Sequence, residues 1–230
     1  MKRSAINRAV VAARDFLKAR AFALPPFASW TPEHWREAGP DCRRIVDCRL
    51  GWDVTDFGRG DFDRLGAVLF TIRNGVQGTP GLGTPYAEKI IILEPGQRLP
   101  LHLHWSKQED IINRGGGILV MELYNARKDE SLDKDSPVTA WCDGRERKLA
   151  AGVPVKLGPG ESINLTPGSY HRFWADPAAG TLLVGEVSTV NDDETDNLFA
   201  ETVSRFATVE EDEPPAFLLC NEYGSIARPR

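Results

Sequence analysis

The sequence predicts a mainly β protein, a sandwich or barrel of short strands preceded by a helical extension. Short apolar runs recur between Gly, Pro and Asn punctuation: AVLFTI, KIIIL, LPLHLHW, ILVMELY, VPVKL, ESINL, HRFW and TLLVGEV. Runs of that length with turn signals between them read as strands of a sandwich or barrel. Helical spacing of apolar residues mostly disappears after the N-terminal stretch. A chain of 230 residues, 41% hydrophobic and 27% charged, has a globular composition and enough length for a sizeable core.

The elements follow in order. Ser4 is placed to cap a helix on which Ile6, Val10, Ala13, Phe16 and Leu17 recur at helical spacing, and Pro25-Pro26 closes it off. A second short helix starts after Thr31, with Pro32 at its first position and Glu33 next, and breaks at Gly39-Pro40. His34 on that helix reads as structural. The Gly- and Pro-rich patch from Gly75 to Pro85 is long enough for a mobile loop and, with strands on both sides, reads as an excursion within one domain. No linker divides the chain. One domain is expected over 1–230: a helical extension over 1–40, a β-barrel core over 66–190 and a C-terminal segment over 191–230.

The stretch from Asn191 to Glu213 holds nine acidic residues, with Arg205 its only basic one. Such a run is ordinarily a solvated face. Leu198, Phe199, Val203 and Phe206 are nevertheless spaced as a helix that packs on something, so part of this tail is expected to dock on the barrel as a helical or irregular segment.

Composition excludes several functions. Lys and Arg number 28 against 33 Asp and Glu, a net charge of −5, which argues against a nucleic-acid or anionic-membrane partner. Four cysteines, Cys42, Cys48, Cys142 and Cys220, form no C-x-x-C pair and are too sparse for a disulfide scaffold. The longest apolar run near the start is Ala9 to Ala13, too short for a signal-peptide core, and no stretch is long enough to span a membrane. A cytoplasmic protein is expected. Gly115-Gly116-Gly117 follows no parallel strand and precedes no helix, so it reads as a hairpin turn rather than a phosphate-cradling loop.

The chemistry concentrates in GQRLPLHLHWSKQEDIINRGGG. In an extended segment alternate side chains share a face, so His102 and His104 lie together, opposite Leu99, Leu101, Leu103 and Trp105. Two imidazoles on one face can hold a single metal ion. Glu109, five residues on, can reach the same ion, and His171, after the turn at Pro167-Gly168, supplies a fourth ligand. A lone strand histidine is usually a hydrogen-bonded core or surface residue. Here two of the chain's four histidines stand one residue apart on the polar face of a strand. Lys89 interrupts the apolar run AEKIIIL, either as a strand-end lysine reaching water or as a pocket lysine. Trp105 and Trp174, beside ligands, read as core residues rather than pocket walls, and Glu122 and Glu186 inside apolar strands are left undecided.

These residues also carry a resemblance. Gly96, five residues, His102-x-His104, four residues, Glu109, six residues and Gly116 match the first cupin motif at every position. Gly160, five residues, Thr166-Pro167-Gly168, two residues and His171 match the second, with Thr166 where the pattern has Pro and Ala175 where it has Asn. The resemblance implies a cupin jelly roll with a three-His, one-Glu site for a divalent transition metal. Beyond the motifs, MKRSAIN, LPPFASW, LGWDVTDFG, LFTIRNG, PYAEKI, HWSKQEDIINRGGG, VGEVSTVNDDETDN and EEDEP resemble the bacterial D-lyxose isomerase family.

That resemblance implies a Mn²⁺-dependent aldose-ketose isomerase, a homodimer. It would act on D-lyxose and D-xylulose, with D-mannose and D-fructose as second substrates, by proton transfer between C1 and C2 through a metal-stabilised enediolate. It supports Lys89 as a catalytic and substrate-binding residue and gives Glu109 a second role as proton carrier. It also places the tail over the barrel mouth, with Glu201 as acid-base partner opposite the metal, Asp193 holding sugar hydroxyls, and Arg205 either orienting Glu201 or binding sugar. The cupin fold hosts many functions, so two alternatives stand beside this one: an iron dioxygenase using the same four ligands, and a non-catalytic sugar-binding cupin.

Overall fold

The computed structural model describes residues 1–225, so 226–230, the end of the expected C-terminal segment, lie outside the described residues. Three helices come first: α1 (Arg3–Lys18), α2 (Pro32–Glu37) and α3 (Arg43–Asp47). The strands are β1 (Gly51–Thr55), β2 (Ala67–Gly75), β3 (Gly83–Leu93), β4 (His102–Leu103), β5 (Glu109–Gly115), β6 (Leu119–Ala126), β7 (Leu132–Asp133), β8 (Val138–Cys142), β9 (Arg145–Leu149), β10 (Val155–Leu157), β11 (Ser162–Leu165), β12 (Ser169–Ala175), β13 (Leu182–Thr189) and β14 (Leu198–Phe199). Their pairings are antiparallel. One sheet runs β1-β2-β3-β13-β5-β11-β8-β9 and the other β10-β6-β12-β4-β14, with β7 beside β6.

The two sheets close face to face on a shared core in which Leu69, Ile91, Ile111 and Val184 of the first meet Leu119, Met121 and Phe173 of the second. This is the predicted jelly roll. The outer face of β1 to β3 is buried as well, because Ile6, Val10, Ala13 and Leu17 of α1 pack on Val54, Val68, Phe70 and Ile90. Burial on both faces is why AVLFTI and KIIIL are continuous apolar runs rather than alternating ones.

Several expectations change in detail. Helix α1 begins at Arg3, not after a Ser4 cap. Ser4 sits in the first turn, and its N–H and hydroxyl both donate to the Asp212 carboxylate, at 2.9 and 2.7 Å. A carboxylate from the far end of the chain thus satisfies an orphan amide and complements the helix dipole. Arg3 is 2% exposed and donates to Glu211 and Glu222, and Asn7 donates to Glu213 at 2.6 Å. The acidic run EEDEP is therefore a fastener. His34 is structural, as expected: its Nδ1 accepts the Thr31 N–H at 3.1 Å, opposite Pro32 at the start of α2. The patch after Gly75 is the hairpin connection between β2 and β3, with Gly75 opposite Gly83.

The strand expected over Leu99 to Trp105 forms a ladder only at His102–Leu103, because Pro100 has no N–H and the amides of Trp105, Ser106 and Lys107 bond elsewhere. Trp105 is 46% exposed, not core, and Leu99 faces the barrel interior. In the tail, Leu198 and Phe199 are a strand rather than a helix. They pair with the open edge of β4, sending Leu198 outward to Leu101 and Leu103 and Phe199 inward to the barrel core. Pairing also extends beyond 66–190 on both sides, through β1 and β14. Among the described residues no helix is long and apolar enough to cross a membrane.

Candidate active site

Strand β4 brings His102 and His104 to the interior side of the second sheet, and β12 places His171 directly opposite His102. The three imidazoles are 2–7% exposed, and one ring nitrogen of each lies within 4.8 Å of the others. Backbone carbonyls face every Nδ1: Pro100 for His102 at 2.9 Å, Asp196 for His104 at 2.7 Å and Ser169 for His171 at 3.1 Å. With Nδ1 donating to those oxygens, each Nε2 presents a lone pair inward, the tautomer a metal ligand needs. Burial, reinforced by the neighbouring His171 and His104, holds His102 well below its ordinary pKa, so it stays neutral.

Glu109, at the start of β5, completes the set. Its Oε1 lies 3.0 Å from His171 Nε2 and 3.5 Å from His104 Nε2. A carboxylate oxygen and two lone-pair nitrogens repel one another at that range unless a cation stands among them. Among the described residues, the buried side-chain atoms with no hydrogen-bond partner include His104 Nε2 and Glu109 Oε1. Two orphaned acceptors at one point, in a donor set of imidazoles and a carboxylate, fit a divalent transition ion.

Around this point runs a buried chain of alternating charges. Lys107 Nζ lies 2.6 Å from Glu109 and 2.9 Å from Glu186, and Lys89 Nζ lies 3.7 Å from Glu186 and 3.2 Å from Asp193. Arg205 continues it, donating to Asp193 at 3.0 Å and to Asp53 at 2.7 Å. Burial alone would raise the Glu109 carboxyl, but the Lys107 ammonium beside it holds it well below the usual carboxylate range. Asp193 behaves alike: burial opposes its charge, and Arg205 and Lys89 outweigh that effect.

Of the expected site residues, His102, His104, His171, Glu109, Lys89, Asp193 and Arg205 all line one cavity, with Phe57, Phe173 and Phe199 as its apolar walls. Glu201 does not join them. It is exposed: between the Ala200 amide, which bonds the Leu101 carbonyl, and the Ser204 amide, which bonds the Phe57 carbonyl, Glu201 and Thr202 face solvent while Val203 packs on the barrel core. Arg205 orients Asp193 and Asp53 instead of Glu201. Glu186 supplies the additional carboxylate inside the cavity, whereas Glu122 pairs with Arg172 and Tyr124 outside it. Lys107 was the residue that sequence reasoning missed, although the period of two that grouped His102 with His104 also groups it with Glu109.

A model of the D-lyxose isomerase family matches residues 1–223. The chain belongs to that family. A Serratia proteamaculans relative named D-lyxose/D-mannose isomerase is 48% identical over 224 residues, spanning 97% of this chain and 98% of that one. An Escherichia coli O157:H7 relative of the same name is 48% identical over 225 residues, with the same shares of each chain. In three dimensions, Cellulomonas parahominis L-ribose isomerase, solved with L-ribose, matches at a TM-score of 0.56 and 18% identity over 89% of this chain and 96% of that one. That likeness establishes the shared cupin-type fold. As a D-lyxose isomerase family member, the chain is an enzyme that interconverts aldoses and ketoses, and its substrate is a small sugar.

Proposed function

We propose that this enzyme is a Mn²⁺-dependent ketol-isomerase that interconverts D-lyxose and D-xylulose, with D-mannose and D-fructose as a second pair. The names of the Serratia and Escherichia relatives support the sugars. The observation that carries the reading is the convergence of His102, His104, His171 and Glu109 on one point, beside a second carboxylate, Glu186, in the same cavity. When bound by those four residues, a divalent ion supplies Lewis acidity at the C1 and C2 oxygens of the sugar. The carboxylate is a donor that suits Mn²⁺, and the imidazoles are donors common to the divalent transition ions.

The chain's own groups then do the proton work. Isomerisation moves one proton from C2 to C1 and another between the neighbouring oxygens, with no net oxidant. Glu186 faces the cavity without belonging to the ligand set, and so takes the carbon-bound proton from C2 and returns it at C1. Lys107 bridges Glu186 and Glu109 and fixes the distance between them. Lys89 stands within reach of Glu186 and Asp193, where its cation stabilises negative charge developing on a sugar oxygen. Asp193 and Arg205 hold the remaining hydroxyls, and Phe57, Phe173 and Phe199 keep bulk water out. The same reading takes the enzyme to be a cytoplasmic homodimer, which light scattering on the purified chain checks.

The test is ketose formation from D-lyxose, D-mannose, D-xylose and L-ribose by metal-stripped protein, with and without added Mn²⁺. D-xylulose from D-lyxose only after add-back, with D-mannose slower, is the expected result. Full activity in the stripped protein would refute the metal-dependent reading.

A further inference from the structure

The segment from Asn191 to Phe199 crosses the barrel mouth as a strap, and one of its residues is unused by the reading above. Asp196 is 5% exposed. Its Oδ1 accepts the N–H groups of Trp105 and Ser106, and its Oδ2 that of Lys107, each at 2.9 Å. Its backbone carbonyl accepts from His104 Nδ1 at 2.7 Å. Three consecutive amides turned toward one anion form a nest, and hydrogen bonds to a charged acceptor are among the stronger ones.

The position of that nest gives it a use. Residues 105–108 join His104 to Glu109, and none of them lies in a strand, since β4 ends at Leu103 and β5 begins at Glu109. The same short loop carries Lys107 to its place between Glu109 and Glu186. One residue therefore fixes the His104 tautomer through its carbonyl and the spacing from His104 to Glu109 through its carboxylate. We propose that Asp196 is the positioning residue of the metal centre, setting the affinity for the divalent ion without touching ion or sugar. This rests on the assignment of His102, His104, Glu109 and His171 as the ligand set. Because the strap also brings Asp193 to Lys89 and Arg205, docking of the strap and retention of the ion are linked.

Mn²⁺ affinity, read by competition with a fluorescent chelator on the full chain, is a measure independent of turnover. Asp196→Asn preserves the side-chain shape but loses the charge and one acceptor, and is expected to weaken Mn²⁺ binding about 10–100-fold. Saturating Mn²⁺ should restore most of kcat, as it would not for a group that handles the proton. Asp192→Asn is the control, since among the described residues that carboxylate accepts from Glu194 and Thr195 of its own strap and not from the loop between His104 and Glu109, and it should bind Mn²⁺ like wild type. Wild-type affinity in folded Asp196→Asn, or an equal loss in Asp192→Asn, overturns the proposal. If Asp196→Asn does not fold, amide hydrogen exchange of the unmodified protein decides: slow exchange at Trp105, Ser106 and Lys107 supports the nest, and free exchange overturns it. A wild-type chain that holds no divalent ion fails the ligand assignment itself, a result distinct from wild-type affinity in the variant.

Discussion

Replacing Arg205 with Met removes one cation from between two carboxylates. Arg205 is 13% exposed, and its partners Asp53 and Asp193 are 5% and 21% exposed. Removing one partner of a buried pair costs about 3–5 kcal/mol, most of it from the charge left behind. Asp193 retains Lys89 at 3.2 Å, so the cost falls mainly on Asp53, and we expect that single amount rather than twice it. For a chain of this length each kcal/mol shifts Tm by about 2–4 °C, so Arg205→Met should melt about 6–20 °C lower.

The pH dependence supplies a sharper check. Asp193 is held below its unfolded pKa, so its contribution to stability is present above that value and is lost as pH falls through the lower folded one. Asp53 is already raised, chiefly by burial, with Arg205 pulling it back down. Without Arg205 both carboxyls rise, and the variant recovers stability by taking up protons as pH falls. The difference in Tm between wild type and variant should therefore be widest near neutral pH and narrow below about pH 5. Thermal unfolding of both metal-stripped proteins at the two pH values measures this. A Tm within about 2 °C of wild type at neutral pH, less than about 1 kcal/mol, or a gap that does not narrow on acidification, would refute the reasoning.

Glu186→Gln should lower kcat about 10²–10⁴-fold while Mn²⁺ still binds, as steady-state kinetics with chelator competition would show. Glu201→Gln should turn over like wild type, because its carboxylate points to solvent; a large loss of kcat would return it to the site. Gly83→Ala should fold poorly. Its φ is +82°, and an added Cβ would meet the Asn74 carbonyl oxygen at 2.2 Å, a strain of about 1–3 kcal/mol for the backbone alone, visible in soluble yield and Tm.

The convergence of His102, His104, Glu109 and His171 was legible because it leaves local marks: a period of two in an extended segment, and a turn before His171. The choice between Glu201 and Glu186 was harder. Tail acidity drew attention to Glu201, yet a carboxylate inside TLLVGEV carries more information, since a charge in an apolar strand requires a partner. The tail packs on the barrel as expected, and of the helical or irregular forms open to it the helical spacing was the misleading one. Leu198 and Phe199 are adjacent and face opposite sides, a pattern that only the unpaired edge of β4 explains, and no spacing within the tail reveals that edge. Likewise Asp212 reads as one charge among several until the fold sets it on the first turn of α1.

The fastening of α1 has a consequence for the order in which the protein is built. The helix is made first, but Glu211, Asp212, Glu213 and Glu222, which hold its opening turns, lie more than 200 residues further along the chain. A growing polypeptide can form the β1-β2-β3 and β8-β9 hairpins as they emerge, since those contacts are local. The start of α1 must wait for the partners of Arg3 until the chain as far as Glu222 has left the ribosome. Closure of the barrel's outer face over α1 is in this sense a late event of synthesis, and a chain stopped short of Glu211 would carry a finished sheet and an unsecured first helix.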